Sequence, residues 1–483
     1  MDKIKECQNE YFDAEKNKIL FGDTNKLQDW LSDNLSQGKI IDKVKLMLKN
    51  YLELDNVSFL FGTGASIHLG AVSIRNFPIE VEEYLKSQGL IDDFYKEIQE
   101  LQAEQKGDRK DHTEFKDSRG WDFIVDGLII RDKQSNEIAI EYEKVLNYLI
   151  AKEFVLSQDK SKDRIDKTEQ LIVAIKEGLF NVCNIDQRKI PTSELRRIIK
   201  RGKKKAFKNA LKNKYHFHQM FLKALLQRPL NLRRANIFTS NYDLAFEYAF
   251  DKLGIHYIDG FAGFHKRFFK PETFEYDIFY PGSITSGKVQ RIEKVVRYFK
   301  LHGSLSWVNS EKRDANNLYG IEEKTLDIIE KLNKKGEIII YPSAVKKSYT
   351  LDLPYSELFR QFAVTITQSQ SVLITIGYSF CDEHFNDIIY QALSNPTFTL
   401  IIVDFVGTKN EEIQRLRTLN DPRIIILEGE FFGDFLTFAD TLMPNFNVIS
   451  TNDKIANTLN ELLGTNVTRA ESMPSTTVAN AAK

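Results

Sequence analysis

Five short apolar runs in this chain end in residues able to do chemistry. The run 57–61 leads to Gly62, Thr63, Gly64, Ala65 and Ser66, and the run 235–239 ends at Thr239, followed by Ser240, Asn241, Tyr242 and Asp243. The run 298–301 leads to His302, the run 371–376 to Gly377, Tyr378 and Ser379, and the run 399–403 to Asp404. A glycine turn lets the backbone approach a ligand, and a helix opening at Ala65 and Ser66 would aim free amides at a phosphate. The Asn241 amide can donate and accept at once, and the His302 imidazole can take a proton near neutral pH. Each signal also has a plain structural reading. An Asn after a strand is commonly a cap or turn residue, and the first glycine turn lacks the third glycine of the dinucleotide fingerprint, carrying Ile67 instead. Five such ends in one chain carry the functional reading.

Residues of this kind must be positioned by strands. Continuous apolar runs broken by glycine or polar residues, alternating with helical spacing as in 245–250 and 383–390, predict an α/β fold. The expected form is a doubly wound parallel sheet, a Rossmann-like core with ligands beyond the carboxyl ends of the strands. The segment 337–345 reads as a further strand. Residues 1–55 read as N-terminal helices, with Leu27, Trp30, Leu31 and Leu35 near helical spacing. From 86 to 230 Lys, Glu, Asp and Gln dominate, and the block reads as a helical insertion with a loop at 104–120. The core then comprises 56–85 and 231–445, and 464–483 reads as a disordered tail.

The 483 residues, 42% hydrophobic and 28% charged, suit a globular protein with a large core. A net charge of −1 excludes a global field for nucleic acid or membrane. The segment 196–214 holds ten Lys or Arg and no acid, which admits either phosphate contact or a solvated helix face. The first twenty residues lack the apolar core of a signal peptide, and no apolar stretch is long enough to span a membrane. Cys7, Cys183 and Cys381 lie far apart and form no metal-binding pair. A cytoplasmic setting with no membrane partner is expected.

The pattern resembles the sirtuin superfamily, and within it the prokaryotic sirtuin-like NAD hydrolases of anti-phage defence, over residues 55–85 and 235–430. Gly62-Thr63-Gly64-Ala65-Ser66 matches the family's glycine turn. Gly70 with Arg75 matches the segment closing over NAD, although Ser73 and Ile74 stand where Asp and Phe are usual. Thr239-Ser240-Asn241-Tyr242-Asp243 matches the Thr-x-Asn-x-Asp motif, and His302-Gly303 the histidine motif. Gly377-Tyr378-Ser379 with Asp382 is similar to the hydrolase branch, and Asp404 falls where an adenosine-ribose contact is expected. Deacylase sirtuins carry a zinc ribbon of two Cys pairs, which three scattered cysteines cannot supply, so no metal is expected. The resemblance implies an NAD glycohydrolase with Asn241 and His302 catalytic and NAD as substrate. ADP-ribosyl transfer, deacylation or non-catalytic NAD or ADP-ribose sensing are the alternatives. The apolar stripes of the N-terminal helices and of 86–230 need burial, which predicts a homo-oligomer controlled through these parts, and the resemblance implies a HerA-type hexameric ATPase as a candidate partner.

Overall fold

The computed structural model describes residues 11–72, 77–106, 121–123, 129–132, 138–140, 142–159, 162–200, 212–280, 290–310, 313, 315–337, 354–407 and 410–446. Arg75, residues 201–211 of the basic run, nearly all of the expected strand 337–345 and the tail 464–483 lie outside these residues.

A nine-stranded sheet organises the chain. Its strands are β1 (Asn17–Phe21), β2 (Thr24–Asn25), β3 (Asn56–Phe61), β4 (Asn236–Thr239), β5 (His256–Ile258), β6 (Val295–Lys300), β7 (Ser371–Ile376), β8 (Thr399–Asp404) and β9 (Ile424–Gly429). Their spatial order is β2-β1-β9-β8-β7-β3-β4-β6-β5, and every pairing from β9 to β5 is parallel. From β3 the chain moves to β4 on one side and later returns to β7 on the other. That reversal is the topological switch point, and in open parallel sheets the crevice beyond it is where ligands bind. The α/β doubly wound core expected from the sequence is therefore present.

Both faces of the sheet are covered, which is why its strands read as unbroken apolar runs. On one face Phe59 and Phe61 meet Phe221 edge-on at 5.0 and 5.2 Å, and Phe61 also meets Phe246 at 4.7 Å. Phe221 lies on one helix (His216–Leu225) and Phe246 on the next (Ala245–Leu253). On the other face Leu60, Phe238, Phe299 and Leu373 pack with Leu358 and Phe362 of the helix Tyr355–Ile366.

Register makes the strand ends level. Phe61 pairs with Ile376 and with Thr239, and Thr239 pairs with Lys300. The residues that follow, Gly62, Gly377, Ser240 and Leu301, thus leave the sheet along a single edge.

Three local expectations are corrected. Residues 17–21 form a strand rather than helix, pairing antiparallel with β9 along its whole length. An open sheet edge with buried residues such as Ile426 and Leu427 needs a partner, and Ile19 and Leu20 supply one. The block 86–230 contains strands 121–123, 129–132 and 138–140 paired as a small antiparallel sheet, besides its helices. Helices Phe77–Ser87, Ile91–Lys106, Tyr142–Asp159 and Lys162–Cys183, named α1 to α4 here, share an apolar cluster containing Val81, Phe94, Leu149 and Ile175. Finally, no α-helix opens at Ala65. Two three-residue 3-10 turns, Thr63–Ala65 and Ile67–Leu69, end at Gly70 in the left-handed region at φ +100°.

Among the described residues no helix is long and apolar enough to cross a membrane.

Candidate active site

The glycines at the switch point serve close approach between two loops. A Cβ on Gly62 would lie 2.5 Å from the Gly377 carbonyl oxygen, and one on Gly64 would lie 2.5 Å from Gly377 Cα. Gly377 itself sits at φ +61°, where an L side chain is strained. Gly62 N–H donates to the Ile376 carbonyl and Gly64 N–H to the Gly377 carbonyl, both at 3.0 Å. Ala65 and Ser66 N–H donate back to the Gly62 and Thr63 carbonyls. The Ala65 and Ser66 amides, expected to be free at a helix N-terminus, are thus engaged within the protein. The turn is a clasp between β3 and β7.

That clasp presses the Asn241 loop into place. Thr239 Oγ1 donates to the Phe61 carbonyl at 3.2 Å and accepts the Asn241 N–H at 3.0 Å. Asn241 Nδ2 donates to the Gly62 carbonyl at 3.0 Å and to Ser66 Oγ at 3.3 Å. Its Oδ1 is buried and accepts no hydrogen bond. Both amide donors are used to hold the side chain, and the acceptor is left over. A buried acceptor without a donor is costly, so its persistence points to a ligand or water that completes it.

Below this loop lies a buried charge network absent from the expected site. Lys300, the last residue of β6, is 3% exposed and donates to Glu247 Oε1 at 2.8 Å and to the carbonyls of Tyr242 and Asp243. Tyr298 Oη donates to Glu247 Oε2 at 3.1 Å. Burial pushes the Glu247 and Asp243 carboxyls up, and the Lys300 ammonium opposes it in both. Asp243 Oδ1 accepts the Ala245 N–H at 3.0 Å, closing the loop. The sequence signal for this network was a charged Glu inside the otherwise apolar 245–250 helix face and a Lys at the end of a buried strand.

His302 follows β6 by two residues and is 6% exposed. Its Nε2 lies 2.9 Å from Asp382 Oδ2, and its ring stacks on Phe385 at 5.0 Å with an 18° interplanar angle. Asp382 is the N-cap of helix α5 here (Glu383–Leu393), accepting the His384 N–H at 3.2 Å, and Phe385 lies in the first turn.

A cavity of about 360 Å³ joins these parts, a size suited to a small-molecule site. Its wall includes Gly62, Thr63, Gly64, Ser240, Asn241, Tyr242, Asp243, His302, Gly377, Tyr378, Ser379 and Asp382. The structure thus brings together most of the residues singled out from the sequence. Ala65, Ser66 and Thr239 are buried behind the wall and position it. Asp404 is not in the wall. Its carboxylate accepts the Gly407 N–H at 2.8 Å and shapes the turn that brings Val406 to the cavity, while burial pushes it up to about 6.

Residues from the helical block also reach the cavity, Val182 and Cys183 of α4 and Ile185 beyond it, and Phe77 of α1 joins them. Sequence spacing held no sign of this. Cys183 is half-buried, and loss of solvent around its sulfur pushes the thiol up. The charged wall residues are Asp243 and Asp382, with His302 titratable beside them, and no Lys or Arg lines the cavity among the described residues. Such a wall favours a cationic group over a phosphate.

The basic run is partly engaged. Arg197 pairs with Glu194 at 2.7 Å and Asp434 at 3.1 Å, and Lys214 donates to the carbonyls of Ile185 and Arg188. Among the described residues no group of three or more His, Cys, Asp or Glu side chains could hold a metal ion.

The chain finds no match among curated proteins. Residues 235–424, which carry Asn241, His302, Gly377–Ser379, Asp382 and Asp404 but neither the first glycine turn nor the helical block, match the family model of the SIR2-like domain.

Proposed function

We propose that this protein hydrolyses the nicotinamide–ribose bond of NAD, releasing nicotinamide and ADP-ribose. The observation that carries the reading is the unpartnered Asn241 Oδ1 in the same wall as His302 at the switch point. The match to the SIR2-like domain supports an NAD-directed chemistry. The substrate's nicotinamide is a cationic ring, and a wall holding two carboxylates suits it.

In the proposed reaction the bond from ribose C1′ to the nicotinamide nitrogen breaks, and its electron pair leaves with nicotinamide. Positive charge develops on the ribose, as in other glycosidic cleavages. A water oxygen then bonds to C1′ and gives up one proton. Asn241 Oδ1 accepts from the water or a ribose hydroxyl and orients it. His302 takes the proton and passes it to solvent. Asp243 lies in the same wall and stabilises the cationic transition state.

The wider role proposed is an NAD-depleting anti-phage effector, active as a homo-oligomer. Ile150, Phe154 and Val155 of α3 and Val173 of α4 are exposed, with Phe154 at 68%. An apolar stripe of that kind favours burial against another subunit. Because α4 also supplies Val182 and Cys183 to the cavity, assembly through this face could bias the site.

The test is to incubate the protein with NAD and separate the products chromatographically. Nicotinamide and ADP-ribose should appear in equal amounts, and neither with the His302→Ala protein. Intact NAD together with no saturable NAD binding would remove the reading. Nicotinamide without ADP-ribose would replace hydrolysis by transfer or cyclisation.

A further inference from the structure

We propose that Asp382 is the positioning residue of His302, holding one ring tautomer so that the other nitrogen carries the lone pair used in catalysis. The proposal rests on the reading of His302 as the proton acceptor.

The geometry supports it from two sides. Asp382 Oδ2 lies 2.9 Å from His302 Nε2, within ion-pair distance though not aligned as a hydrogen bond, and both side chains are almost fully buried. A carboxylate cannot donate, so a neutral imidazole beside it carries its proton on Nε2 and its lone pair on Nδ1. Asp382 is itself fixed. Its Oδ1 caps α5 through the His384 N–H at 3.2 Å, and its backbone carbonyl accepts the Tyr378 hydroxyl at 3.3 Å. The same helix supplies Phe385, whose ring lies nearly parallel to the imidazole at 5.0 Å. Phe385 in turn stacks on Phe359 at 5.1 Å. One helix N-terminus thus sets both the tilt and the protonation pattern of a ring carried by the turn after β6.

A structural cap is the competing role, because Asp is a favoured N-cap. Asparagine separates the two. It caps as well as aspartate but carries no charge, and its amide can present a donor to the ring instead of an acceptor. The titratable groups on the other elements around the cavity are Asp243 and Tyr242 after β4, Tyr378 and Cys381 after β7, and Cys183 of α4. None of these is altered by the substitution.

The experiment uses the full chain as wild type, Asp382→Asn and Asp382→Glu, with folding followed by circular dichroism. Nitrogen-15 spectra of protein labelled at its eight histidines report the His302 tautomer, assigned by the peak lost in His302→Ala. The Nε2–H form is expected in wild type and Asp382→Glu, and a shift toward the Nδ1–H form in Asp382→Asn. In parallel, NAD turnover is measured against pH. Asp382→Asn should lower the plateau rate by about 10²–10⁴-fold, the usual worth of a placed general base. Removing the carboxylate also removes what favours imidazolium. The rising limb should therefore move to lower pH, by about one to three units for a lost opposite charge at this range. Asp382→Glu should recover part of the rate. If Asp382→Asn keeps the wild-type tautomer and limb, Asp382 is a cap and the proposal is wrong. If wild type cleaves no NAD, the functional reading fails, while the nitrogen spectra still decide the His302–Asp382 coupling.

Discussion

Asn241→Ala removes a single amide from the level edge of the sheet, and it should separate stability from catalysis. In the folded protein Nδ2 donates to the Gly62 carbonyl and to Ser66 Oγ, at 3.0 and 3.3 Å. Truncation strands both. A buried acceptor without a donor costs about 1–3 kcal/mol, but the adjoining cavity admits water, which brings the expected loss to about 1–2 kcal/mol. In a chain of this size such a loss lowers the melting temperature by no more than about 4 °C. The catalytic loss is of a different order. Oδ1 makes no contact that holds the fold, so its value lies in what it orients. Losing one preorganised polar contact at a reacting centre costs about 10²–10³ in kcat. The assay is nicotinamide release at saturating NAD, run on the same samples used for thermal melting. Turnover within a few-fold of wild type would refute the assignment, because the amide would then serve only to tie the β3 and β4 loops. A melting temperature lowered far beyond 4 °C would mean that the rate loss reports unfolding.

Further substitutions test the frame around that residue. Gly64→Ala sets a Cβ 2.5 Å from Gly377 Cα, so the clasp must open at a cost of about 1–3 kcal/mol, and a neutral result in urea unfolding would contradict the interlock. Lys300→Met leaves the Glu247 carboxylate buried without its cation and should destabilise by about 3–5 kcal/mol. Adding Glu247→Gln should restore much of that, and equal unfolding midpoints for the single and double variants would argue against the pair. Asp404 has a folded-state value raised to about 6 by burial, so the stability it contributes is fully present below its unfolded value and is lost as pH rises through about 6. Asp404→Asn should therefore flatten melting temperature against pH between about 4 and 6 and stabilise the protein at neutral pH by up to about 2 kcal/mol. An unchanged slope would show that this carboxyl is not the group that titrates.

Much of this architecture was legible locally. The runs at 57–61, 235–239, 371–376, 399–403 and 423–429 are strands because an unbroken apolar run of that length fits a pleat buried on both faces, and both faces are in fact covered. Their ends carry glycine, Asn, His and Asp because the chain leaves the sheet there, and turn chemistry acts over two or three residues. Asn241, His302, Gly377 and Tyr378 could therefore be picked out, and one cavity holds them. Errors arose where a local signal has two meanings. The turn at Gly62 and Gly64 looked like the opening of a helix, yet two short 3-10 turns follow it and the backbone reverses at Gly70, while the same glycines permit the close approach of Gly377. Residues 17–21 carried too little periodicity to reveal a strand whose only reason is the exposed edge of β9.

What spacing could not contain is adjacency between distant segments. The order of strands, which puts β7 and not β4's successor beside β3, decides that Gly64 meets Gly377. Level register decides that His302 stands across from Asn241. Helix docking decides that Asp382 and Phe385 reach His302, and that Val182 and Cys183 from the helical block close the cavity. Composition and period report which face of an element seeks burial. Which partner buries it is chosen by packing the whole chain at once, where each contact is worth little until its neighbours are in place.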